Sequence, residues 1–293
     1  MIGPYDTPQA FRAALETRLR TMAQQEGIDL QRLQRRVAFE RLLARLFAGD
    51  DPPWLLKGGY ALELRFRDRA RSTLDLDLSV PDPARLASPS VEHTENQIDA
   101  QIREELQIAA ERDLGDGFQF RGRLSKRAGL PGGGIRFAVE TRLAGRVFAR
   151  FHLDMGLGDT VLDPPEWVDS GALLDFAGIP AAQVALYPLA QQIAEKIHAY
   201  TFPWQDRDNT RVKDLVDLVL LAQLGQVEPE RIRRALAATF KSRGTHPLPT
   251  KLPTPPGDWA EPYADLAEKL GLDARTLAQA YTCLDAYWRW WNP

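Results

Sequence analysis

Residues 55–80 decide the fold, and they read LLKGGYALELRFRDRARSTLDLDLSV. A short apolar run ends at Gly58 and Gly59, a helical segment follows, and a second apolar run carries Asp75 and Asp77 at alternate positions. Side chains two residues apart in a β-strand point to the same face, so the two carboxylates are expected to project together. The apolar side chains between them are expected to enter the core: Leu74, Leu76 and Leu78.

The two halves of this stretch suit phosphoryl transfer. Two adjacent carboxylates repel each other unless a cation lies between them, and carboxylate oxygens are ligands that Mg²⁺ prefers. A Gly-Gly turn at the start of a helix offers backbone N–H groups to a phosphate. A phosphate-binding turn that faces an aspartate pair is typical of nucleotidyl transfer, although other phosphoryl-transfer enzymes share it.

Composition narrows the class of protein. The 293 residues are enough for a large core and two subdomains. The net charge of −3 gives no overall indication of nucleic-acid binding, so any such surface must come from local clustering. The single cysteine, Cys283, excludes an intramolecular disulfide and a thiolate zinc cluster. Without a signal-peptide pattern or a bilayer-length apolar run, the chain is expected to be cytoplasmic, with no membrane partner.

Two helices are predicted before the opening stretch. Thr7 and Pro8 are typical of a helix start, and a longer helix is expected over residues 29–47. The arginines of the longer helix are interpreted as a solvated face in preference to an RNA contact. They are Arg32, Arg35, Arg36, Arg41 and Arg45.

A basic antiparallel meander is predicted over residues 118–124, 135–143 and 147–155. Its basic residues are Arg121, Arg123, Lys126, Arg127, Arg136, Arg142, Arg146 and Arg150, set against Glu140 alone. Its interleaved aromatic residues are Phe118, Phe120, Phe137 and Phe148. Two interpretations have equal weight: a face that holds a phosphodiester backbone, or an edge sheet protected by charge.

The last strand of the meander carries Asp154, which is out of place in an apolar strand by propensity. It is expected either to cap the strand end or to serve as a third carboxylate beside Asp75 and Asp77. His152 shares its face by parity and is interpreted as a packing or supporting residue, not a metal ligand.

From about residue 186 the sequence predicts helices only. One of them carries Lys196, which on the residues alone is interpreted as an ordinary exposed lysine. The next begins near Arg211 and places Asp214 and Asp217 one turn apart on the same side. The C-terminal tryptophans are expected to dock the last helix.

Four motifs in order resemble the AbiEii/AbiGii family, nucleotidyltransferase-like toxins of bacterial toxin–antitoxin systems that include the mycobacterial MenT toxins. The motifs are Lys57-Gly58-Gly59-Tyr60-Ala61-Leu62, Thr73-Leu74-Asp75-Leu76-Asp77-Leu78, Glu195-Lys196-Ile197-His198-Ala199 and Arg211-Val212-Lys213-Asp214-Leu215-Val216-Asp217. The resemblance covers about residues 55–221. Many relatives have Gly-Ser or Gly-Gly-Thr where this chain has Gly59-Tyr60, so the Ser or Thr hydroxyl that would contact the phosphate is either missing here or replaced by the Tyr60 backbone.

The resemblance implies an α+β fold with a polymerase-β-type nucleotidyltransferase core, a mixed or antiparallel sheet with helices. That core, with the N-terminal helices, is expected over residues 1–180. A helical domain over residues 181–293 is expected to complete the nucleotide site. The resemblance further implies a Mg²⁺-dependent toxin that moves a nucleoside monophosphate from a nucleoside triphosphate to the 3′ end of tRNA. Aminoacylation, translation and growth would then stop, and a cognate antitoxin is the expected partner of a chain favoured to be a monomer.

The resemblance also assigns roles to residues. Asp75 and Asp77 would hold one or two Mg²⁺ ions, with Asp154 as third metal ligand and acceptor of the proton from the attacking hydroxyl. Lys196 and Asp214 complete the catalytic set, and Asp214 would orient Lys196 or contact the nucleotide. The remaining nucleotide-binding residues are Lys57, Gly58, Gly59, Thr73, Arg211 and, more weakly, Lys213.

Two alternatives remain open. The same core could modify a protein or small-molecule acceptor, as antibiotic nucleotidyltransferases do. The chain could also be a non-catalytic module that binds only nucleotide or antitoxin.

Overall fold

The computed structural model describes residues 2–86, 95–125, 134–204 and 211–291, with the backbone alone for residues 95–98 and 123–125. Lys126 and Arg127 of the predicted basic meander therefore lie outside the described residues. The chain divides into two compact units. The first comprises Met1–Leu64, Ser72–Asp159 and Pro165–Leu186, and the second comprises Arg65–Arg71, Thr160–Pro164 and Tyr187–Pro293. No helix within the described ranges has the length and apolarity to cross a membrane.

A seven-stranded mixed sheet forms the centre of the first unit in the part of the chain that the structure describes. Its strands are β1 (Leu55–Lys57), β2 (Asp75–Val80), β3 (Phe118–Ser125), β4 (Gly134–Leu143), β5 (Arg146–Leu157), β6 (Glu166–Asp169) and β7 (Gln183–Leu186). Their order is β3-β4-β5-β2-β1-β7-β6. The pairs β2/β5 and β1/β7 are parallel, and the other neighbours are antiparallel. The predicted mixed α+β class is confirmed.

Along the chain, helices precede, separate and follow these strands. They are α1 (Pro8–Glu26), α2 (Leu30–Leu46), α3 (Gly58–Phe66), α4 (Glu95–Ala110), α5 (Leu189–Thr201), α6 (Val212–Leu224), α7 (Pro229–Arg243), α8 (Ala260–Leu270) and α9 (Leu277–Trp291). The predicted start of α1 is confirmed, because the Thr7 side chain accepts a hydrogen bond from the Ala10 backbone N–H. Gly27 ends α1 in the left-handed conformation that glycine adopts at low cost.

The predicted meander is confirmed as β3, β4 and β5, but its aromatic residues do not lie among the arginines. Phe118, Phe120, Phe137 and Phe148 are each 5% exposed or less. The prediction of interleaved aromatic and basic side chains is therefore wrong. Adjacent residues of a strand face opposite sides, so Phe120 points inward where Arg121 points outward. The inner face packs on α2, where Phe39 contacts the Phe151 ring at 4.8 Å.

Strand β2 also differs from the prediction at one position. Leu74 is 58% exposed, whereas Leu76 and Leu78 are fully buried. The strand begins at Asp75, so Leu74 precedes the first paired residue and has no sheet layer to pack against. The expectation that Leu74 enters the core is wrong.

The arginines of α2 do not form a solvated face. Arg41 and Arg45 are buried and both donate hydrogen bonds to the buried carboxylate of Asp116, Arg45 to both oxygens at 2.8 and 2.6 Å. Arg32 and Arg36 lie within 3.6 Å of the buried Glu63 carboxylate. A buried charge needs a partner of opposite sign, so these ion pairs join α2 to other elements of the first unit.

The second unit is built from α5 to α9. Every residue of α6 from Leu215 to Leu221 is buried, and all of them except Asp217 are apolar. Trp288 and Trp291 are buried at 2% and 1% exposure and confirm the docking role predicted for the C-terminal tryptophans. Trp290 is 54% exposed and takes no part in it.

Candidate active site

A row of four charged residues crosses four neighbouring strands. In the sheet register Lys57 of β1 pairs with Asp77 of β2, Asp77 with Asp154 of β5, and Asp154 with Arg136 of β4. Directly paired residues project from the same face of a sheet. The two carboxylates at the centre of the row are therefore flanked by one cationic residue on each side. We call Lys57, Asp77, Asp154 and Arg136 the charged row.

The turn after β1 brings backbone against the Asp77 carboxylate. Gly58 has a φ of +69°, and a Cβ built on it would lie 1.9 Å from Asp77 Oδ2. Only glycine combines this conformation with so close an approach. Gly58 also opens α3, whose first-turn N–H groups point away from the helix body. Glycine at this position thus allows the carboxylate to lie against the N-terminus of a helix.

Asp154 and Arg136 form a two-point ion pair. Arg136 donates from Nε to Oδ1 and from Nη2 to Oδ2, both at 2.6 Å. The hydrogen bond to Asp154 raises the pKa of Arg136 most; burial opposes the rise, and the charges of Asp154, Asp75 and Asp77 add to it. The charges of all three aspartates therefore act on the Arg136 guanidinium.

Asp75 lies one step along the same face. Its carboxylate is 3.4 Å from His152 Nδ1, and the two side chains are 40% and 50% exposed. His152 is therefore not a packing residue. The Thr73 hydroxyl donates to the Asp75 backbone carbonyl at 3.1 Å, so Thr73 supports the start of β2.

Lys57 is held at the far end of the charged row. Its ammonium donates to Asp159 Oδ2 at 2.6 Å, and the Ser79 hydroxyl donates to the same oxygen at 2.7 Å. Gly156 gives this cluster room, because a Cβ there would lie 2.6 Å from Asp159 Oδ2. The ammonium is thereby fixed on the Asp77 side of the sheet.

The donor set of the face suits a hard divalent cation. Asp75 and Asp77 alternate on β2 and present carboxylate oxygens, the ligands that Mg²⁺ prefers. Within the described ranges no group of three or more His, Cys, Asp or Glu side chains is arranged to hold a metal ion. The third carboxylate, Asp154, is instead neutralised by Arg136. The two β2 aspartates fit a cation, and Arg136 competes with a cation for the Asp154 carboxylate.

A second charged cluster lies within the helical unit. Lys196 of α5 is 9% exposed at its side chain and donates to Asp217 at 2.7 Å and to Asp214 at 3.0 Å. Arg71 donates to both oxygens of Asp217, at 2.9 and 2.8 Å. Burial works to lower the pKa of Lys196, but the charges of Asp217 and Asp214 outweigh it and the pKa is raised. Lys196 is a buried, permanently charged group, not the exposed lysine that the residues alone suggested.

The two other cationic candidates flank this cluster. Arg211 caps α6, lies 3.5 Å from Asp214 and stacks 5.7 Å above the Trp204 ring. Lys213 is exposed on the first turn of α6.

Comparisons with known proteins show the family of the chain. A family model described as "Nucleotidyl transferase AbiEii toxin, Type IV TA system" matches residues 41–290. The chain belongs to the AbiEii toxin family. It is accordingly a nucleotidyltransferase and the toxin component of a type IV toxin–antitoxin system, a kind of system that includes an antitoxin partner.

A solved structure supports the fold of this AbiEii toxin. The chain is similar to MenT4, a nucleotidyltransferase toxin from Mycobacterium tuberculosis H37Rv, with 19% identity over 96% of both chains and a TM-score of 0.56. At this identity the likeness shows the fold alone. No curated protein sequence matches the chain.

Three partner residues in these two charged clusters were not predicted from the sequence. Arg136 was seen only as one of many meander arginines, and Asp159 was not singled out. Asp217 was placed beside Asp214 by helical spacing, but its role as the main partner of Lys196 and Arg71 was missed. The only local signal was the i, i+3 spacing of the two aspartates, because the other contacts join residues far apart in sequence.

Proposed function

We propose that this AbiEii toxin transfers a nucleoside monophosphate from a nucleoside triphosphate to the 3′ end of tRNA in a Mg²⁺-dependent reaction. The observation that supports the proposal most is the charged row. It places two adjacent carboxylates between a lysine beside a Gly-Gly turn and an arginine. Nucleotidyl transfer needs both features, since it must hold a polyphosphate and a cation together.

Asp75 and Asp77 are the residues that would hold the metal, with Asp154 as a third ligand. A bound Mg²⁺ supplies Lewis-acid stabilisation of the charge that develops on phosphate oxygens. Gly58 and Gly59 would present the α3 N-terminus to the triphosphate. Lys57, kept beside Asp77 by Asp159, would add a positive charge there. Thr73 would contribute by holding the start of β2.

Asp154 is the proposed acceptor of the proton from the attacking hydroxyl. Both of its oxygens accept hydrogen bonds from Arg136, so it would act as a base only after this pair loosens.

The helical unit is proposed to supply further contacts to the nucleotide. Lys196 carries a permanent charge, oriented by Asp214 and Asp217. Arg211 lies at the start of α6, and the exposed Lys213 follows it as the weaker candidate. The expectation that residues 181–293 complete the nucleotide site of residues 1–180 stays a prediction.

The biological outcome follows from the acceptor. A tRNA whose 3′ end is extended cannot be aminoacylated, so translation and growth would stop in the cytoplasm unless the antitoxin neutralises the enzyme. The tRNA acceptor, the cytoplasmic location and the monomeric state rest on the family resemblance and on composition.

Incubation with bulk bacterial tRNA tests the proposal. Purified protein, Mg²⁺ and each labelled nucleoside triphosphate in turn should yield labelled tRNA. Asp77→Ala should abolish the label, whereas Asp265→Ala, at an exposed position on α8, should not. Absence of labelled RNA with all four nucleotides contradicts the proposal. Label on a protein or small molecule would support the alternative acceptors, and nucleotide binding without turnover would support a non-catalytic module.

A further inference from the structure

The outer face of the meander carries a compact basic cluster that the charged row does not use. We call Arg121 of β3, Glu140 and Arg142 of β4, and Arg150 of β5 the basic face. The register pairs Glu140 with Arg121 on one side and with Arg150 on the other, so their side chains share one surface. Three guanidinium groups and one carboxylate leave a net charge of +2.

Glu140 organises this cluster. Arg150 donates to Glu140 Oε2 from Nε at 3.1 Å and from Nη2 at 2.8 Å, and Arg142 Nε lies 3.1 Å from Oε1. The pKa of Glu140 is lowered, first by the hydrogen bond from Arg150 and further by the charges of Arg150, Arg142 and Arg121. The glutamate holds the arginines over the sheet, and 70% of the Arg150 side chain stays exposed.

The basic face continues into the carboxylate site along one strand. Arg150, His152 and Asp154 alternate on the outer face of β5, which places Arg150 about 13 Å from Asp154 along the strand. Between them Ala138 pairs with His152. Ala138 is exposed and its side chain is small, so it leaves open space above the sheet at this position. The half-exposed His152 ring offers a plane on which a base can stack.

The in-line geometry of phosphoryl transfer constrains on which side of Asp77 each substrate binds. The attacking and leaving oxygens must be on opposite sides of the phosphorus atom. Lys57 and the Gly58 turn adjoin Asp77 from β1, Asp154 adjoins it from β5, and Arg136 lies beyond Asp154 on β4. If the triphosphate occupies the β1 side, the acceptor hydroxyl must arrive from the β5 side, where the basic face lies.

We infer that the basic face binds the phosphodiester backbone of the RNA acceptor, with its 3′-terminal nucleotide passing over Ala138 and His152 towards Asp154. This inference rests on the proposed function, because it assigns the acceptor subsite of the same reaction. Guanidinium groups suit this task, since they pair with phosphate oxygens in a planar two-point geometry. The arginines would contact phosphates and not bases, so this binding would not depend on base identity. Any preference for a particular RNA would arise elsewhere.

Charge reversal of two arginines tests the inference. The double variant Arg121→Glu, Arg150→Glu should raise the KM for bulk tRNA on the order of tenfold or more while the KM for the nucleotide stays unchanged. The salt dependence of tRNA binding should weaken by about 0.7 in log–log slope for each lost phosphate contact to single-stranded RNA. The matched control is Arg20→Glu, Arg289→Glu, which reverses arginines that are 57% and 71% exposed and also paired with acids.

Glu140→Gln should change the KM for tRNA in the opposite direction. It removes the one negative charge of the basic face and keeps a side-chain oxygen that can accept from Arg150, so the KM for tRNA should fall. An unchanged or raised KM would count against the inference.

Equilibrium binding separates this inference from the proposed function. Fluorescence anisotropy with labelled bulk tRNA and no nucleotide should show affinity lost in the basic-face variant and kept in the control. If the wild type labels tRNA and the basic-face variant does so with an unchanged KM, the inference fails and the function stands. If the variant instead escapes neutralisation by the antitoxin with tRNA binding intact, the face is a protein interface and the inference is overturned.

Discussion

Arg136 donates to both carboxylate oxygens of Asp154, each at 2.6 Å, and thereby engages the third aspartate of the candidate site. Asp77, its neighbour on β2, lies directly beside this pair in the sheet register. A guanidinium therefore supplies positive charge to one of the three carboxylates. The competition between this guanidinium and a divalent ion leads to the first prediction.

Arg136→Gln should make the protein depend on Mg²⁺ for stability. Without the guanidinium, the carboxylates of Asp75, Asp77 and Asp154 repel one another, and an added divalent cation relieves this repulsion. The Tm of the variant should be below that of the wild type without Mg²⁺ and should rise more on adding it, by roughly 2–4 °C per kcal/mol. Differential scanning fluorimetry with and without Mg²⁺ measures this.

The control for that experiment is Arg142→Gln, which removes an arginine of the same strand that contacts Glu140. Its response to Mg²⁺ should equal that of the wild type. An equal response from the Arg136 variant and the wild type would mean that Arg136 does not compete with a metal ion for Asp154.

Gly58→Ala should damage activity far more than stability. A Cβ at Gly58 would overlap the Asp77 carboxylate at 1.9 Å and displace it, and kcat should fall on the order of a hundredfold. Gly27→Ala is the matched control, because Gly27 has a nearly equal φ of +67° with nothing within 4 Å.

The free energy of unfolding of both glycine variants, measured with urea, should fall by about 1 kcal/mol because alanine is strained in the left-handed conformation. Only Gly58→Ala should lose activity. Similar loss of activity in the two variants would show that strain, not the approach to Asp77, explains the need for glycine.

Asp217→Asn should destabilise the protein more than Asp214→Asn. Asp217 is 1% exposed and is the common partner of Lys196 and Arg71, so its neutralisation leaves two cations short of a buried counter-charge. The cost should be about 3–5 kcal/mol, against about 1 kcal/mol at the more exposed Asp214.

Chemical denaturation of both aspartate variants gives these free energies. Nucleotide affinity gives the complementary readout, and here Asp214→Asn should show a loss without unfolding. Equal stability of the two variants would contradict the assigned roles.

Glu40→Gln should stabilise the protein at neutral and alkaline pH. Burial raises the pKa of Glu40 to about 8, and neighbouring Arg36 and Arg41 do not offset it. Its Oε1 atom has no hydrogen-bond partner within the described ranges, and a Cβ at Gly171 would lie 2.2 Å from it. The folded protein therefore binds this proton more tightly than the unfolded chain does.

The sign follows from linkage. Between the unfolded value of about 4.5 and the folded value of about 8, the free energy of unfolding of the wild type falls as pH rises, because ionisation favours the unfolded chain. Glu40→Gln removes this loss, so its advantage should be near zero at pH 4.5 and on the order of 4 kcal/mol at pH 8. Unfolding curves at several pH values measure it, with the exposed Glu230→Gln as the control that should show no such trend.

Much of the fold could be predicted because its signals are local. The start of α1 at Thr7 and the antiparallel meander follow from capping and from residue alternation. The short strands β6 and β7 were not predicted, since each has four residues and too few alternations to be distinguished from a loop.

The candidate site likewise combines features that local sequence patterns predict with features that they do not. The place of Asp75 and Asp77 on one face was predictable from their spacing. The exposure of Leu74 was not, because it depends on where the pairing of β2 begins. The burial of Arg41 and Arg45 was missed for a similar reason: their partner, Asp116, is about seventy residues away in sequence.

Local sequence patterns were enough to predict the candidate chemistry of this protein: an alternating aspartate pair, a Gly-Gly turn and two later motifs in family order. These are properties of strand periodicity, backbone conformation and residue type, which act over a few neighbouring positions. The tertiary structure alone decided that Lys57, Asp77, Asp154 and Arg136 form one row and that Arg136 neutralises Asp154. Strand pairing brings these residues together across most of the first unit, and no local pattern encodes which strands become neighbours.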